Sequence, residues 1–299
     1  MTTIAFIGLG TMGAPMARNL LGAGFDVAGY NRSPARTEAF AAAGGRGAAS
    51  VADAVAGADT VITMLPDSPD VTAVLTGPGG VIASAPAGTL IIDMSTIRPD
   101  VARTVGTAAA ERGLRFLDAP VSGGEQGAID GVLSIMVGGA PQDVAAARPV
   151  LDAVGTTIVH VGPVGSGQTV KAANQLIVAG TIELVAEALT FLSAQGVDLA
   201  AAVEVLGGGL AGSTVLQRKG PAMLARNFAP GFRVELHHKD LGIFGDAARE
   251  AGVVAPLGAA VSALMASLTV QGGGTLDHSA LLLLVEQLSG RGGTLPAAQ

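Results

Sequence analysis

The chain has 299 residues, of which 49% are hydrophobic and 14% charged, a composition typical of a globular protein with one large core or two smaller ones. A formal net charge of −7 without a long basic run argues against nucleic acid or an anionic membrane as the main partner. The lack of cysteine excludes disulfides, thiolate catalysis and cysteine-ligated metal. Four histidines provide no ligand cluster at usable spacing, so no metal site is predicted.

The sequence predicts neither a secretion signal nor a membrane span. A strand-like run begins at Thr3, which leaves no room for a basic region, an apolar region and a cleavage site. No formal charge occurs between Gly252 and Asp277, but this segment is rich in Ala, Ser and Gly and lacks flanking basic clusters. We expect it to form a buried or interface helix, and we expect a cytoplasmic protein.

The N-terminal part, from Thr3 to about Val164, alternates short β-type runs with alanine-rich helical stretches. This alternation is typical of a parallel sheet covered by helices on both faces. The predicted strands are IAFIGL, DVAGYN, TVITML, LIIDMS, RFLDAPV, LSIMVGG and TIVHVG. The predicted fold class is therefore α/β, with an N-terminal Rossmann-type doubly wound parallel sheet.

After Gly165 the strand pattern stops and the sequence predicts an all-α domain. Glycine and proline cluster in HVGPVGSGQ, which places the boundary between the two domains there. We predict a sheet domain over 1–163, an all-α domain over 164–291 and a disordered tail over 292–299. The predicted helices cover Ser166 to about Gln195, Leu199–Leu206, Thr214–Leu224, Lys239–Ala251, Leu257–Val270 and Ser279–Leu288.

A glycine motif follows the first predicted strand. Gly8, Gly10 and Gly13 have G-x-G-x-x-G spacing and lead into the helical run APMARNLLGAG. These glycines permit a tight turn, let a pyrophosphate approach the backbone and let the helix pack closely on the strand, while the helix N-terminus favours the anion. With the intervening Leu9, Thr11 and Met12, they predict a dinucleotide-binding loop.

The end of the second strand bears on which dinucleotide binds. NAD sites usually carry an acidic residue there, whereas this chain has Asn31, Arg32 and Ser33. Guanidinium and hydroxyl donors suit a 2′-phosphate, so NADP is favoured over NAD. The alternative is that Arg32 stacks on the adenine or faces solvent, with NAD accepted equally well.

Two further strand ends are predicted to face the same ligand, because ligands of open α/β sheets bind beyond the carboxyl ends of the strands. Leu65 and Pro66, after Met64, could pack on the cofactor, and Thr96 could bind the nicotinamide ribose or amide. The alternative for both loops is that these are ordinary turn residues.

Lys171 stands in the otherwise small and apolar run GSGQTVKAANQ. A helix rotates by 100° per residue, so Asn174 and Gln175 would lie within about 60° of Lys171. Desolvation and a helix N-terminus both lower the pKa of a lysine, which makes Lys171 a candidate proton donor to a substrate carbonyl. The alternative is a lysine that extends from a buried helix to solvent.

Three motifs in this order resemble those of the β-hydroxyacid dehydrogenase family, namely FIGLGTMGAPMARNL, DAPVSGGEQGA and GSGQTVKAANQ. The resemblance covers nearly the whole chain and implies a fold like that of 6-phosphogluconate dehydrogenase. It also implies hydride transfer between a nicotinamide cofactor and a short carboxylate substrate. By this resemblance Lys171 is the catalytic lysine and Asn174 binds and orients the substrate.

The same resemblance assigns the remaining site residues. Ser122, Gly123 and Gly124 would hold the substrate carboxylate, and such a turn can expose successive N–H groups as an anion-binding nest. Lys239 would lie near the nicotinamide end of the cofactor. Phe232 is either a pocket wall or a core residue, and we expect His237 and His238 to be structural.

Within the family, three segments are most similar to the tartronate semialdehyde (2-hydroxy-3-oxopropionate) reductases, which implies reduction of that aldehyde to glycerate. They are GGLAGSTVL, NFAPGFRVELHHKDL and DHSAL. One sequence leaves open 3-hydroxyisobutyrate, serine or succinic semialdehyde as the substrate. A non-catalytic dinucleotide-binding module and an imine reductase are further alternatives, and the lysine argues against both. A homodimer or homotetramer is expected, because Thr181–Leu192 and Leu257–Val270 are apolar helical stretches with few charges.

Overall fold

The computed structural model describes residues 2–295, which fold into two compact units. The N-terminal unit ends at Lys171 and the C-terminal unit begins at Ala172, within the helix α9, Ser166–Ala194. The sequence-based boundary, between residues 163 and 164, precedes this helix. Glycine and proline mark the end of a strand there, whereas contacts keep the first turns of α9 with the sheet.

The N-terminal unit is built on a mixed sheet. Over residues 2–295 its strands are β1 Thr3–Ile7, β2 Asp26–Tyr30, β3 Arg46–Gly47, β4 Thr60–Thr63, β5 Leu90–Asp93, β6 Arg115–Asp118, β7 Val121–Ser122, β8 Leu133–Gly138 and β9 Gly155–Gly162. The sheet order is β3-β2-β1-β4-β5-β6-β8-β7, with β9 on β8. The first six strands are parallel, in the order of dinucleotide-binding folds.

The far end of the sheet departs from the predicted parallel arrangement. Strand β8 runs antiparallel to β6 and to β7, and β9 runs parallel to β8. The helix α7, Gly124–Asp130, joins β7 to β8. A crossover to a parallel strand needs about a dozen or more residues, and this connection is shorter, so the chain returns in the opposite direction.

Helices cover both faces of the sheet. Along β1, Ile4 and Phe6 point into one core and Ala5 and Ile7 into the other, as the two-residue period of a strand requires. Proline in the first turn starts four of these helices, Pro34–Ala42, Ser68–Thr76, Pro99–Glu111 and Pro141–Asp152. Besides α7, the helices are α1 Gly13–Gly22, α2 Pro34–Ala42, α3 Val51–Val55, α4 Ser68–Thr76, α5 Val81–Ser84, α6 Pro99–Glu111 and α8 Pro141–Asp152.

The C-terminal unit is helical. Its core is formed by the leucine-rich last helix and by apolar residues such as Ile182, Val261 and Met265. After α9, its helices are α10 Leu199–Gly207, α11 Thr214–Leu224, α12 Val234–Glu250, α13 Pro256–Leu268 and α14 Leu281–Leu288, with a π-helical turn at Thr269–Gly273 and a 3₁₀ turn at His278–Ala280.

Two of these helices start two or more residues away from their predicted first residues. Helix α12 starts at Val234 rather than Lys239, because the N–H groups of Val234 and Glu235 bind the carbonyls of Leu276 and Gly274 at 2.9 and 3.0 Å. Helix α14 was predicted from Ser279, but a 3₁₀ turn occupies residues 278–280. Both differences depend on contacts between distant parts of the chain.

Of the tail predicted to be disordered, 292–299, residues 296–299 lie outside the described part of the chain. Leu295 packs against the core of the C-terminal unit, and the Gln287 side-chain amide donates to the Gly293 carbonyl at 2.6 Å. The early part of the tail therefore contacts the helical unit.

One described helix, α9, is long and apolar enough to cross a membrane by length and composition. Core helices of globular proteins pass the same test, so a single helix of this kind is weak evidence for a span. The uncharged segment between Gly252 and Asp277 forms α13 and a π-helical turn. Helix α13 has 13 residues, fewer than the ~20 that a span needs.

Candidate active site

The glycine loop between β1 and α1 has the geometry that its spacing predicts. Gly8 has a φ of 106°, and a Cβ there would collide with the Met64 carbonyl. A Cβ at Gly13, the first residue of α1, would collide with the Gly8 carbonyl, whereas Gly10 has no atom within 4 Å of its Cβ position. The loop therefore combines a tight turn, close helix–strand packing and an open backbone surface, and it fits a pyrophosphate.

Side chains from the β2 end hold this loop. The Leu9 N–H donates to Asn31 Oδ1 at 3.0 Å, and the Asn31 N–H donates to Thr37 Oγ1 at 3.1 Å. Arg36, in the first turn of α2, donates from Nη1 to the Leu9 carbonyl at 3.1 Å. The sequence analysis did not select Arg36, although it is a second cation only four residues after Arg32.

Arg32 and Ser33, at the end of β2, are both exposed. The Arg32 side chain is 92% exposed, and its Nη1 lies 3.9 Å from Asp70 Oδ1. Such an exposed, long ion pair constrains the guanidinium weakly. Ser33 is the N-cap residue of α2 and makes no side-chain capping bond. The remaining loop residues, Thr11 and Met12, precede α1, with Met12 at its N-cap.

The loops after β4 and β5 are bonded to each other. Met64, Leu65 and Pro66 follow β4, and the Leu65 N–H donates to Ser95 Oγ at 2.9 Å. Ser95 precedes Thr96, which is half-buried. The strand-end positions that the sequence selected thus form one connected edge of the sheet.

Ser122, Gly123 and Gly124 form the turn between β7 and α7. Both glycines have positive φ values, 147° and 68°, which non-glycine residues rarely adopt. Ser122 is the last residue of β7, paired with Ser134. Gly123, with φ 147° and ψ −13°, is the N-cap residue of α7, so a side chain at either glycine would strain this turn.

Lys171 lies in the second turn of α9 and is 6% exposed. One turn before it, Gln168 is 1% exposed. The helix begins on the carboxylate of Asp118, which accepts the N–H groups of Gly165 at 2.7 Å and Gln168 at 2.8 Å. The lysine is therefore held on a buried helix start rather than on a surface helix.

Asp118 is a buried charge with specific partners. Burial raises its pKa to about 6, while the two N–H donors from Gly165 and Gln168 act in the opposite direction and nearby Asp93 adds to the rise. Sequence reasoning missed Asp118 and Gln168. Both lie within motifs that the sequence analysis identified, but the sequence did not indicate that their side chains are buried.

Asn174 and the polar residues after it belong to a buried chain of hydrogen bonds in the C-terminal unit. Asn174 Nδ2 donates to Gln175 Oε1 at 2.8 Å, and Gln175 Nε2 donates to Asp240 Oδ2 at 2.6 Å. Lys239 Nζ lies 2.8 Å from Asp240 Oδ1. Asn174 is half-buried, and its amide is oriented by its neighbour along the helix.

His237 and His278 of this unit are hydrogen-bonded to each other, whereas the buried Nδ1 of His238 has no hydrogen-bond partner among the described residues. His237 is fully buried, and its Nε2–H donates to the Gln175 carbonyl at 3.1 Å, because a carbonyl can only accept. If His237 is neutral, its Nδ1 accepts from His278 Nδ1 at 2.9 Å. Phe232 is half-buried and lies edge-on to both rings at 5.5 Å. No group of three or more His, Asp or Glu side chains in residues 2–295 is arranged to hold a metal.

Two family models together match most of the chain. The model of the NAD-binding domain of 6-phosphogluconate dehydrogenase matches residues 3–162. The model of the NAD-binding region of NADP-dependent 3-hydroxyisobutyrate dehydrogenase matches residues 165–285. The first match spans the sheet of the N-terminal unit, and the second begins just before α9.

Individual relatives cover the same length. The NAD-dependent L-serine dehydrogenase of Pseudomonas aeruginosa is 39% identical, over 97% of this chain and 100% of the relative. The 2-hydroxy-3-oxopropionate reductase of Escherichia coli K12 is 40% identical, over 96% and 98%. The structure of Mycobacterium tuberculosis 3-hydroxyisobutyrate dehydrogenase with L-serine has a TM-score of 0.88 at 38% identity, and the match covers 95% of this chain and 99% of that one.

Proposed function

The chain belongs to the β-hydroxyacid dehydrogenase family, and we propose that its substrate is tartronate semialdehyde, which it reduces to glycerate. At the level of the family, it is a nicotinamide-dependent oxidoreductase that acts on a CH–OH group. The observation that carries the proposed chemistry is a buried lysine, Lys171, on a helix whose start is fixed to the ends of the sheet.

In the proposed reaction the nicotinamide, when bound, supplies the hydride, which goes to the aldehyde carbon of the substrate. Lys171 donates a proton to the carbonyl oxygen, so that the aldehyde becomes a primary alcohol, and takes the proton back in the oxidative direction. The Ser122–Gly124 turn holds the carboxylate, because its backbone N–H groups carry partial positive charge. Asn174, one helical turn beyond Lys171, orients the hydroxyl and carbonyl oxygens.

L-serine is the second candidate substrate. The relative named NAD-dependent L-serine dehydrogenase matches 97% of this chain, and the similar solved 3-hydroxyisobutyrate dehydrogenase structure is described as being with L-serine. In this reaction the serine 3-hydroxyl would lose its proton to Lys171 and its C3 hydride to the oxidised cofactor. Glycerate and serine differ only at C2, where one carries a hydroxyl and the other an amine, so a few pocket contacts decide between them.

The test is a steady-state comparison with the purified protein. Oxidation of NADPH and of NADH is followed with tartronate semialdehyde, and reduction of NADP⁺ and NAD⁺ with L-serine, 3-hydroxyisobutyrate and glycerate. Turnover of tartronate semialdehyde, together with a kcat/KM for glycerate at least tenfold above those for L-serine and 3-hydroxyisobutyrate, supports the proposal. If kcat/KM is instead higher for L-serine, L-serine is the substrate and tartronate semialdehyde is not.

We further propose NADP as the preferred cofactor. The support is the absence of an acidic residue after β2, where the chain has Asn31, Arg32 and Ser33, together with the exposed guanidinium of Arg32. Preference is measured as the ratio of kcat/KM for NADPH and NADH. A ratio below one contradicts this assignment without affecting the substrate.

We also propose that the protein is a cytoplasmic homo-oligomer in which α9 contacts a second copy. Ile177, Leu184 and Phe191 are 67%, 64% and 62% exposed and recur every seven residues, the spacing of a helix–helix seam. Light scattering should give a multiple of the chain mass, and Leu184→Glu should reduce that mass. Leu210→Glu, at an exposed leucine outside α9, is the matched control and should leave the mass unchanged.

A further inference from the structure

The side-chain amide of Gln168 binds the backbone on both sides of Thr96. Its Oε1 accepts the Ile97 N–H at 3.0 Å, and its Nε2 donates to the Ser95 carbonyl at 2.8 Å. A residue of a neighbouring parallel strand would make the same two bonds to the backbone on either side of Thr96. Here the Gln168 side chain makes both. Gln168 is 1% exposed, so water does not compete for either bond.

The loop that Gln168 binds is itself connected to the loop before it. Ser95 Oγ accepts the Leu65 N–H at 2.9 Å, and the Ser95 N–H donates to Asp93 Oδ1 at 3.2 Å. Asp93 Oδ1 also accepts from Thr63 Oγ1 at 2.7 Å. The amide thus reaches, through Ser95, both strand-end loops that the sequence assigns to the cofactor.

The backbone of Gln168 is fixed independently of its side chain. Its N–H donates to Asp118 Oδ2, and Gly165 donates to Oδ1 of the same carboxylate. Gly167 packs so closely that a Cβ there would collide with the Met136 carbonyl. The first turn of α9 therefore has little freedom to move on the sheet.

Lys171 is the next residue on the same face of the helix. Three residues advance a helix by about 4.5 Å and turn it by about 300°, so the Gln168 and Lys171 side chains are neighbours along one face. Any change in the distance between the Thr96 loop and α9 would move Lys171 relative to that loop by a similar amount.

We infer that Gln168 is a positioning residue, which sets the distance between the Thr96 loop and Lys171 and so aligns proton transfer with hydride transfer. This inference rests on the proposed role of Lys171. Misplacement of a reacting group by about 1 Å can reduce the rate about 10²-fold, so a loss of that order in kcat is expected when the amide is replaced. The KM for substrate should change little, since Gln168 does not belong to the carboxylate turn.

The decisive variant is Gln168→Glu, which keeps the shape and the acceptor for Ile97 but places a second oxygen against the Ser95 carbonyl. Ionised, that carboxylate is repelled; protonated, its O–H restores the donor that the amide had. We expect kcat to fall about 10²-fold at pH 8 and the ratio of variant to wild type to recover at least tenfold as the pH is lowered to 5.5. Gln168→Leu should show the loss without the recovery.

The matched control is Gln287→Glu, in which the same change removes an amide donor to the Gly293 carbonyl in the C-terminal unit. Its kcat should stay within about twofold of wild type at every pH. Thermal melting and NADPH fluorescence titration of each variant separate misfolding and loss of cofactor from misalignment.

Three results would overturn the inference. They are a Gln168→Glu enzyme with wild-type kcat at pH 8, a loss that does not recover at low pH, and a loss explained fully by a raised cofactor KM. If tartronate semialdehyde is not turned over by the wild type, the proposed substrate has failed. The same ratios, measured on the best acid of the panel, then decide the role of Gln168.

Discussion

The two units bury polar side chains in different ways. In the N-terminal unit, the side chains of Asp118 and Gln168 form hydrogen bonds with backbone groups of strand-end loops and of the first turn of α9. In the C-terminal unit, two buried aspartates are paired with lysines, Asp277 with Lys219 at 2.9 Å and Asp240 with Lys239 at 2.8 Å. The first arrangement fixes the positions of loops, and in the second the Lys219–Asp277 pair joins α11 to the start of the 3₁₀ turn.

The C-terminal unit also contains a buried carboxyl with an unsatisfied oxygen. Glu183 on α9 is 5% exposed, and its Oε2 has no hydrogen-bond partner among the described residues. Burial, and then the charge of Glu187, raises the pKa of Glu183 to about 7. The contrast teaches that changes to the buried groups that bind the strand-end loops of the N-terminal unit should act on catalysis, whereas changes to Glu183 and to the Lys219–Asp277 pair of the C-terminal unit should act on stability and its pH dependence.

The largest effect is expected at Lys171. Removal of a general acid typically costs about 10²–10⁴-fold in rate, so Lys171→Ala should lose that much kcat. The variant should keep its melting temperature within a few degrees and its affinity for NADPH, measured by fluorescence titration. Normal turnover would show that another group protonates the substrate. It would also contradict the expectation that buried polar groups of the N-terminal unit act on catalysis.

The opposite behaviour is expected at Glu183. Its pKa is higher in the folded state than the ordinary value of 4.5, so the folded state binds the extra proton between about pH 4.5 and 7. The free energy of unfolding therefore falls as the pH rises through this range. Glu183→Gln should remove that slope and stabilise the protein at pH 8 by at most about 3 kcal/mol, with kcat unchanged.

Urea unfolding of the wild type and Glu183→Gln at pH 5 and pH 8 checks this prediction. Glu187→Gln is the control, since Glu187 is exposed and contributes only the smaller part of the shift. Equal pH slopes in the wild type and Glu183→Gln would show that the carboxyl of Glu183 is not held in its neutral form by burial.

A change of stability in the opposite direction, and no larger, is expected at Lys219. Burial alone would raise the pKa of Asp277, but His278, Lys219 and Ser279 outweigh it and hold the pKa to about 2. This carboxylate therefore contributes stability above about pH 4, and the contribution is lost as the pH falls toward 2. Lys219→Met should cost roughly 1–3 kcal/mol at pH 7 and less at pH 3, measured by urea unfolding.

The exposed pair Arg148–Asp152, at 2.8 Å, provides the control for this effect. Arg148→Met should change the free energy of unfolding by less than about 1 kcal/mol, because exposed ion pairs are screened by solvent. If the two variants lose the same free energy of unfolding, the buried Lys219–Asp277 pair stabilises the protein no more than the exposed Arg148–Asp152 pair does.

The smallest effect is expected at Arg32, an exposed residue outside the buried network of the N-terminal unit. Arg32→Asp should lower kcat/KM for NADPH about tenfold through loss of a charge-assisted bond and should leave the value for NADH nearly constant. Stability should not change. An unaltered cofactor ratio would show that Arg32 faces solvent in the cofactor complex.

Sequence patterns predicted the features that depend on neighbouring residues. The glycine loop followed from its spacing, since a turn, a bare backbone and a closely packed helix are each decided within a few residues. Helix α11 has the predicted bounds, Thr214–Leu224, because Ser213 caps its N-terminus locally at Leu216. The antiparallel return of β8 was missed, because strand periodicity is the same in both directions.

For the candidate site, the sequence alone determined the β1–loop–α1 unit, the helical C-terminal half and the place of Lys171 on a long helix, since these depend on short-range sterics and periodicity. Only the tertiary structure decided that Gln168 binds the Ser95–Ile97 backbone, more than 70 positions earlier in the chain, and that Arg36 binds Leu9. Hydrogen bonds between residues so far apart form only after the strands have packed, and a glutamine or arginine in a helix has no local pattern that reveals its partner.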